Sequence, residues 1–311
     1  EEDVLGKTLL AMRDDLASYE KEMEAKVEER TEILSKQTAQ LEAQGDEIGR
    51  LYNDLTSSID YARRIQGAIL PSEPNRKLIF DRNFVLYMPR DGVSGDFPWF
   101  HKLDAWRMFA AVDCTGHGVP GAFMSLLGHN ALQHIGKVYT KPGKILDRLN
   151  ELARNVLHRG EDSGLNAEDQ VPDGMDIGLI SINLEEGTLE YAGANSPAYI
   201  VRKGEVIELK PDKRAIASFE PGLHTYTTQT VALQDEDMVY CASDGYADQF
   251  GGPKGRKFMR KRFRGLLSEM AVMSVDEQER QLHSRIENWR QEAEEDQVDD
   301  ILVCGVRIRL G

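Results

Sequence analysis

From Leu5 to Leu70 no proline interrupts the chain, and apolar residues recur on a heptad schedule. They fall at Leu5, Leu9, Met12, Leu16, Tyr19 and Met23, then at Val27, Leu34, Leu41, Ile48, Leu55, Ala62 and Ile69, seven apart from Val27 onward. This spacing predicts one long helix, roughly 100 Å at 1.5 Å per residue. The step from Met23 to Val27 is four where three was due, a slip that a local change of supercoil absorbs. The alternate seam positions, Thr31, Thr38, Gly45, Tyr52, Ile59 and Gln66, are mostly polar or small. Two readings stand: a marginal, adjustable coiled coil that forms a homodimer, or a solvated helix that spaces two domains.

At Pro71-Ser72-Glu73-Pro74 the pattern stops, because proline lacks an amide donor and restricts the residue before it. Beyond this predicted boundary, strand-like runs follow at 84–88, 108–112, 177–182, 189–192, 198–201, 206–209, 225–231, 238–242 and 301–308. Helical stretches interrupt them near 120–137, 143–158, 256–272 and 276–293. Short turns such as Glu185-Glu186-Gly187 and Lys203-Gly204 favour antiparallel hairpins over parallel crossovers. The segment from Arg159 to Asp176, rich in glycine and acids, predicts an exposed loop, either plain surface or a flap over a substrate.

The 311 residues carry 53 Asp and Glu against 38 Lys and Arg, a formal charge of −15, which repels phosphate backbones and anionic lipid. Nucleic acid is therefore not an expected partner, nor is membrane contact within these residues. Three separated cysteines, Cys114, Cys241 and Cys304, argue against a disulfide framework and for a reducing cytoplasm. The chain begins Glu1-Glu2-Asp3 rather than with Met, so an excised cytoplasmic piece of an inner-membrane protein is the expectation.

Four aspartates sit where an apolar run gives way to glycine or another acid: Asp96 in V-S-G-D-F, Asp113 after F-A-A-V, Asp244 after Y-C-A-S, and Asp299 before D-I-L-V-C-G-V. A carboxylate beside a buried strand is costly unless paired, hydrogen-bonded or bound to metal. Oxygen-only ligands select hard ions such as Mg²⁺ or Mn²⁺, and two such ions suit phosphoester hydrolysis. The alternative is that each aspartate caps a turn or strand end. Nucleophilic serine chemistry is weaker, since there is no G-x-S-x-G and Ser125 lies in the helical run G-A-F-M-S-L-L-G. Cys114 lacks an evident partner base. The basic run from Lys254 to Arg264 reads as a solvated helix face or as a dock for an acidic partner.

Taken in order, I-Q-G-A-I-L-P (65–71), V-S-G-D-F (93–97), D-C-T-G-H-G-V-P-G-A-F-M-S (113–125), A-G-A-N-S-P-A (192–198), S-D-G-Y-A-D-Q-F-G-G (243–252) and Q-V-D-D-I (297–301) resemble the SpoIIE-type branch of the PPM (type 2C) metal-dependent serine/threonine protein phosphatases. The resemblance implies an α+β fold, an αββα sandwich of two antiparallel sheets flanked by helices, preceded by the long coiled-coil helix. It implies segments 1–58 (dimerising coil), 59–76 (switch helix and linker) and 77–311 (phosphatase domain). Carried over residue by residue, Asp113 bridges two Mn²⁺ or Mg²⁺ ions, Cys114 offers its backbone carbonyl, Asp244 and Asp299 complete the set, and Asp96 is a direct or water-mediated ligand. Asp300 supports from behind. The implied attack is by metal-activated water directly on phosphoserine or phosphothreonine, and the implied substrate is a phosphorylated anti-sigma-factor antagonist or similar STAS-like regulator. Pro98 and Leu302 depart from the family's usual residues, and His117 is kept as a turn residue rather than a general acid. The competing functions are a catalytically silent dimeric interaction module of the same fold and, lacking any Gly-rich phosphate cradle, a nucleotide phosphodiesterase.

Overall fold

A computed structural model describes residues 2–157, 174–217 and 225–310. The chain divides into two units, Glu1–Ser58 and Ile59–Gly311. Helix α1 spans Glu2–Ile69 and supplies all of the first unit and the start of the second. In the first unit the apolar stripe lies in the open: Val27, Leu34, Leu41, Ile48 and Leu55 are each about 60% or more exposed. Glu22–Lys26 and Glu32–Lys36 pairs, acid first, support the helix at four-residue spacing. Among the described residues no helix is long and apolar enough to cross a membrane.

The second unit is a four-layer sandwich. One sheet has the order β1 (Asn83–Met88), β12 (Ile301–Arg307), β9 (Met238–Ala242), β6 (Ala198–Arg202) and β7 (Glu205–Leu209). The other runs β2 (Phe97–Leu103), β3 (Trp106–Cys114), β4 (Met175–Asn183), β5 (Thr188–Ala194) and β8 (Gln229–Ala232); β10 (Phe250–Gly251) and β11 (Arg256–Lys257) form a separate small ribbon, and every strand pairing is antiparallel. Alternate residues of each strand feed different cores: Phe109 and Ala111 of β3 meet Ile200, Val239 and Leu302 between the sheets. Met108, Ala110 and Val112 face outward instead, onto α3 (Gly118–Ile135) and α4 (Pro142–Leu157). On the opposite side Phe84, Tyr240 and Val303 pack under α6 (Arg260–Met270) and α7 (Val275–Gln291). Burial on both faces is why the strands are near-continuous apolar runs rather than alternating ones.

Several elements differ from expectation. Strand β2 was not anticipated; it contains Pro98 and tolerates it because β2 is the edge of its sheet. The expected strand at 225–231 shrinks to β8, since the amides of Tyr226 and Thr227 donate to the carboxylates of Asp147 and Asp212 rather than to a ladder. The chain also re-enters helix just past Leu70 as α2 (Glu73–Ile79), with Pro74 in its first turn, where a missing amide costs no helical bond. Of the expected loop, residues 159–173 lie outside the described residues, whereas Met175 and Asp176 already belong to β4.

Candidate active site

All four aspartates stand at one end of the sandwich, two from each sheet. Asp96 immediately precedes β2 and Asp113 is the penultimate residue of β3, adjacent because Phe97 pairs with Val112. Asp244 follows β9 and begins the short helix α5 (Gly245–Asp248), its carbonyl accepting the amides of Ala247 and Asp248. Asp299 precedes β12, beside β9 in the same sheet.

Their proximity shapes their electrostatics. Burial, then the charge of Asp113, push the Asp96 carboxyl well above its ordinary range, against a hydrogen bond from Ser243. Asp113 is raised by burial and then by Asp244, Asp299 and Asp176. Asp244 and Asp299 are also raised, each chiefly by burial.

Asp96 sits in a turn held from two sides. The Asp300 carboxylate accepts the amides of Arg90 (2.7 Å) and Gly95 (2.8 Å), so this acid is used up in fixing the turn. Gln66, near the end of α1, is buried; its amide nitrogen donates to the Ser94 carbonyl (2.7 Å) and to Ser125 Oγ (2.9 Å), and its oxygen accepts the Ser94 amide (3.1 Å). Gly95 is required there: a Cβ would lie 2.5 Å from the Gly116 carbonyl and 3.0 Å from that of Cys114. The Cys114 carbonyl therefore borders the same turn, while the residue itself is buried.

Among the described residues no three acid, imidazole or thiol groups close into a ready-made cage for an ion. The donor set nevertheless fits a hard divalent cation. Oδ2 of the buried Asp96 has no hydrogen-bond partner, an orphaned charge-bearing oxygen of the kind that burial makes costly. The neighbouring groups are carboxylates and a backbone carbonyl, all oxygen donors.

A family model for stage II sporulation protein E (SpoIIE) matches residues 106–309. The chain belongs to the SpoIIE family. Its fold closely follows the SiaA-PP2C domain of Pseudomonas aeruginosa, at 32% identity, TM-score 0.72, covering 83% of this chain and 98% of that one. The PP2C phosphatase domain and regulatory fragment of SpoIIE from Bacillus subtilis shares the fold at 18% identity and TM-score 0.58, over 74% of this chain and 62% of that one. The RsbU and RsbW domains of a Mycobacterium tuberculosis protein do so at 16% identity and TM-score 0.55, over 74% and 60%. No curated protein sequence matches. This SpoIIE-family chain is thus a protein phosphatase of the PP2C type, a family of metal-dependent bacterial signalling regulators.

Three further residues border the SpoIIE-family site. Asp176 lies directly opposite Asp113 in the β3–β4 register. Its carboxyl is raised by burial and countered by a 2.9 Å hydrogen bond from Asn195 Nδ2. Asp176 carries the signal that marked the other four, an acid where a loop meets an apolar run, yet the loop reading absorbed it. Arg260, the first residue of α6, lines the same cavity as Asp113, Asp176 and Asp244. His117 is exposed and its Nδ1 lies 2.8 Å from Asp91 Oδ2, which fixes the T-G-H-G turn.

Proposed function

We propose that this chain hydrolyses phosphoserine or phosphothreonine on a small STAS-like regulator, an anti-sigma-factor antagonist, using two Mn²⁺ or Mg²⁺ ions. Asp113, Asp244, Asp299, Asp96 and the Cys114 carbonyl would hold them. The observation that carries this is four acids from two sheets crowded together with one buried carboxylate oxygen left without a partner. A solved RsbX structure holds magnesium, and RsbU and RsbW domains occur together in another, which supports the metal and the class of partner. When bound, the ions supply charge neutralisation at the phosphoryl group and lower the pKa of water. The protein's own part is positional: Asp300 and Gln66 fix the Asp96 turn, and the β3–β4 register sets Asp113 against Asp176. The phosphorus–oxygen bond to the seryl or threonyl oxygen breaks, one water oxygen bonds to phosphorus, and the departing hydroxyl recovers a proton. A cavity of about 70 Å³ at these acids, open to solvent, has room for a phosphoryl group. Phosphate release from a phosphorylated STAS-like protein is expected with Mn²⁺ and is abolished by EDTA. A folded protein that releases none from a genuine phosphoprotein would be the silent interaction module.

The coil is proposed to dimerise and to set the position of α1 in the second unit, as the cytoplasmic output of a membrane receptor. Support comes from the exposed stripe Val27 to Leu55 and from Gln66, which belongs to the same helix and grips the Asp96 turn. A fragment beginning at Asn75 lacks both and is expected to be monomeric by light scattering, with Mn²⁺ affinity at least about tenfold weaker, the scale of losing supports behind a metal ligand. Equal affinity in fragment and whole chain would separate the coil from metal binding.

A further inference from the structure

The cavity beside the carboxylates has one cation in its wall. Asp113, Asp176, Asn195, Tyr199 and Asp244 line it together with Arg260, and no lysine or second arginine does among the described residues. Three nearby cations are engaged: Lys257 pairs with Asp248 at 2.8 Å, Arg264 with Glu208, and the Arg262 guanidinium lies 4.6 Å from the Trp289 ring centroid. Arg260 is exposed and, among the described residues, makes no hydrogen bond or ion pair. Its charge is nonetheless felt by Asp176 and Asp244, lowering both carboxyls against their burial. An arginine this near two acids ordinarily closes onto one of them as a fork. Here, among the described residues, no such fork forms.

The backbone sets where Arg260 leaves the chain. Met259, just before α6, adopts φ 76, a left-handed conformation costly for a non-glycine residue. Its side chain is 56% exposed, so no packing of that side chain accounts for the conformation. Its amide donates to the Ala247 carbonyl at 2.7 Å, and its own carbonyl accepts the amides of Arg262 and Phe263. Phe263, buried, lines the cavity as well. The strained residue thus pins the first turn of α6 to α5, the helix that Asp244 begins, and fixes where Arg260 emerges.

We infer that Arg260 is a substrate-binding residue which grips the non-bridging oxygens of the incoming phosphoserine phosphoryl group. This rests on the phosphatase reading above and adds a residue to it. The chemistry asks for such a group: a phosphoserine carries nearly two negative charges at neutral pH, and it approaches a chain of net charge −15 at a mouth lined with aspartates. A planar guanidinium presents two parallel N–H groups that match two phosphoryl oxygens, which an ammonium cannot do. Arg260 shares the wall of that cavity with Asp113 and Asp244, so a phosphoryl group brought to these acids lies beside it.

The test uses the intact chain with Mn²⁺, comparing wild type, Arg260→Ala, Arg260→Lys and, as a control on general surface charge, Lys254→Ala. Two probes are read: turnover of a phosphoseryl peptide, and equilibrium binding, by fluorescence anisotropy, of the same peptide carrying a non-hydrolysable phosphonate. Arg260→Ala is expected to raise KM and to weaken phosphonate binding about tenfold or more, the scale of a lost charge-assisted hydrogen bond. Arg260→Lys recovers part of both, and Lys254→Ala matches wild type. Arg260→Ala with unchanged KM and unchanged phosphonate affinity overturns the inference, as does a wild type that does not bind the phosphonate peptide. Arg260-dependent phosphonate binding without phosphate release, by contrast, sinks the phosphatase reading and leaves the anion grip standing.

Discussion

Asp113→Asn is expected to reduce metal-dependent phosphate release by about 10³-fold or more, because a proposed metal-binding carboxylate loses its charge and one of its two oxygens, while making the metal-free protein more stable. The two effects have one origin. Burial and three neighbouring acids raise the Asp113 carboxyl, so at neutral pH the fold bears either a crowded charge or the cost of protonating it. Asparagine keeps the shape and removes both, and in a domain of this size each kcal/mol relieved raises the melting temperature by about 2–4 °C. The sign with pH follows. For Asp96 and Asp113 the folded carboxyl holds its proton to higher pH than the unfolded one, so between the ordinary carboxylate value and the raised one the native state binds more protons. Their contribution to metal-free stability therefore grows as pH falls toward about 4 and is lost as pH rises through the folded values. Mn²⁺ reverses the trend, since ligands must be deprotonated and binding releases protons. Differential scanning fluorimetry from pH 5 to 8, with and without Mn²⁺, reads both trends. An Asp113→Asn protein that keeps a Mn²⁺-induced rise in melting temperature and normal turnover would remove Asp113 from the centre.

Gln66→Leu should be the most damaging change outside the acids. Leucine fills much the same space but leaves the buried Ser94 amide and carbonyl without their partners, and Ser125 Oγ loses a donor. Each stranded buried group costs about 1–3 kcal/mol, so a loss near 3 kcal/mol is expected. Mn²⁺ affinity should fall about tenfold, as the turn that carries Asp96 loses one of its two supports. Gln66→Glu rescues little, because a carboxylate accepts the Ser94 amide but donates to neither oxygen. Calorimetric unfolding and a Mn²⁺ titration separate the effects. Lost stability with unchanged Mn²⁺ affinity would mean the Asp300 side alone sets the turn.

Gln66 also shows where reading the chain from its residues reached its limit. By heptad count it is a weak position in a coil seam; in the fold it is a buried plug against the phosphatase domain's own loop. One stripe of a helix can face a second helix or a sheet's edge loop, and period alone does not distinguish the two. The core strands were legible because burial on both faces makes them apolar throughout, as in Ile177–Ile182 and Met238–Ala242. Strand β2 was hidden by Pro98 and by the His101-Lys102 pair near its end. The acids at strand ends were visible one at a time, but their meeting depends on pairings such as Phe97 with Val112 and Val303 with Ala242, which no local spacing encodes. Composition places Arg260 in a basic run that suits either a solvated face or a dock for an acidic partner; its separate position follows from a backbone turn at Met259 that composition does not reveal.

Since two of the acids hang from each sheet, the chemistry is straddled by the joint between layers. Displacing one layer along the other by a single residue's rise, about 3.3 Å, would carry half the set out of range of the rest. The greasy filling of Phe109, Tyr191, Ile200 and Leu302 is therefore the mortar that sets how closely the acids meet: softening it anywhere along the joint is expected to blunt activity without touching any of the proposed metal-binding oxygens.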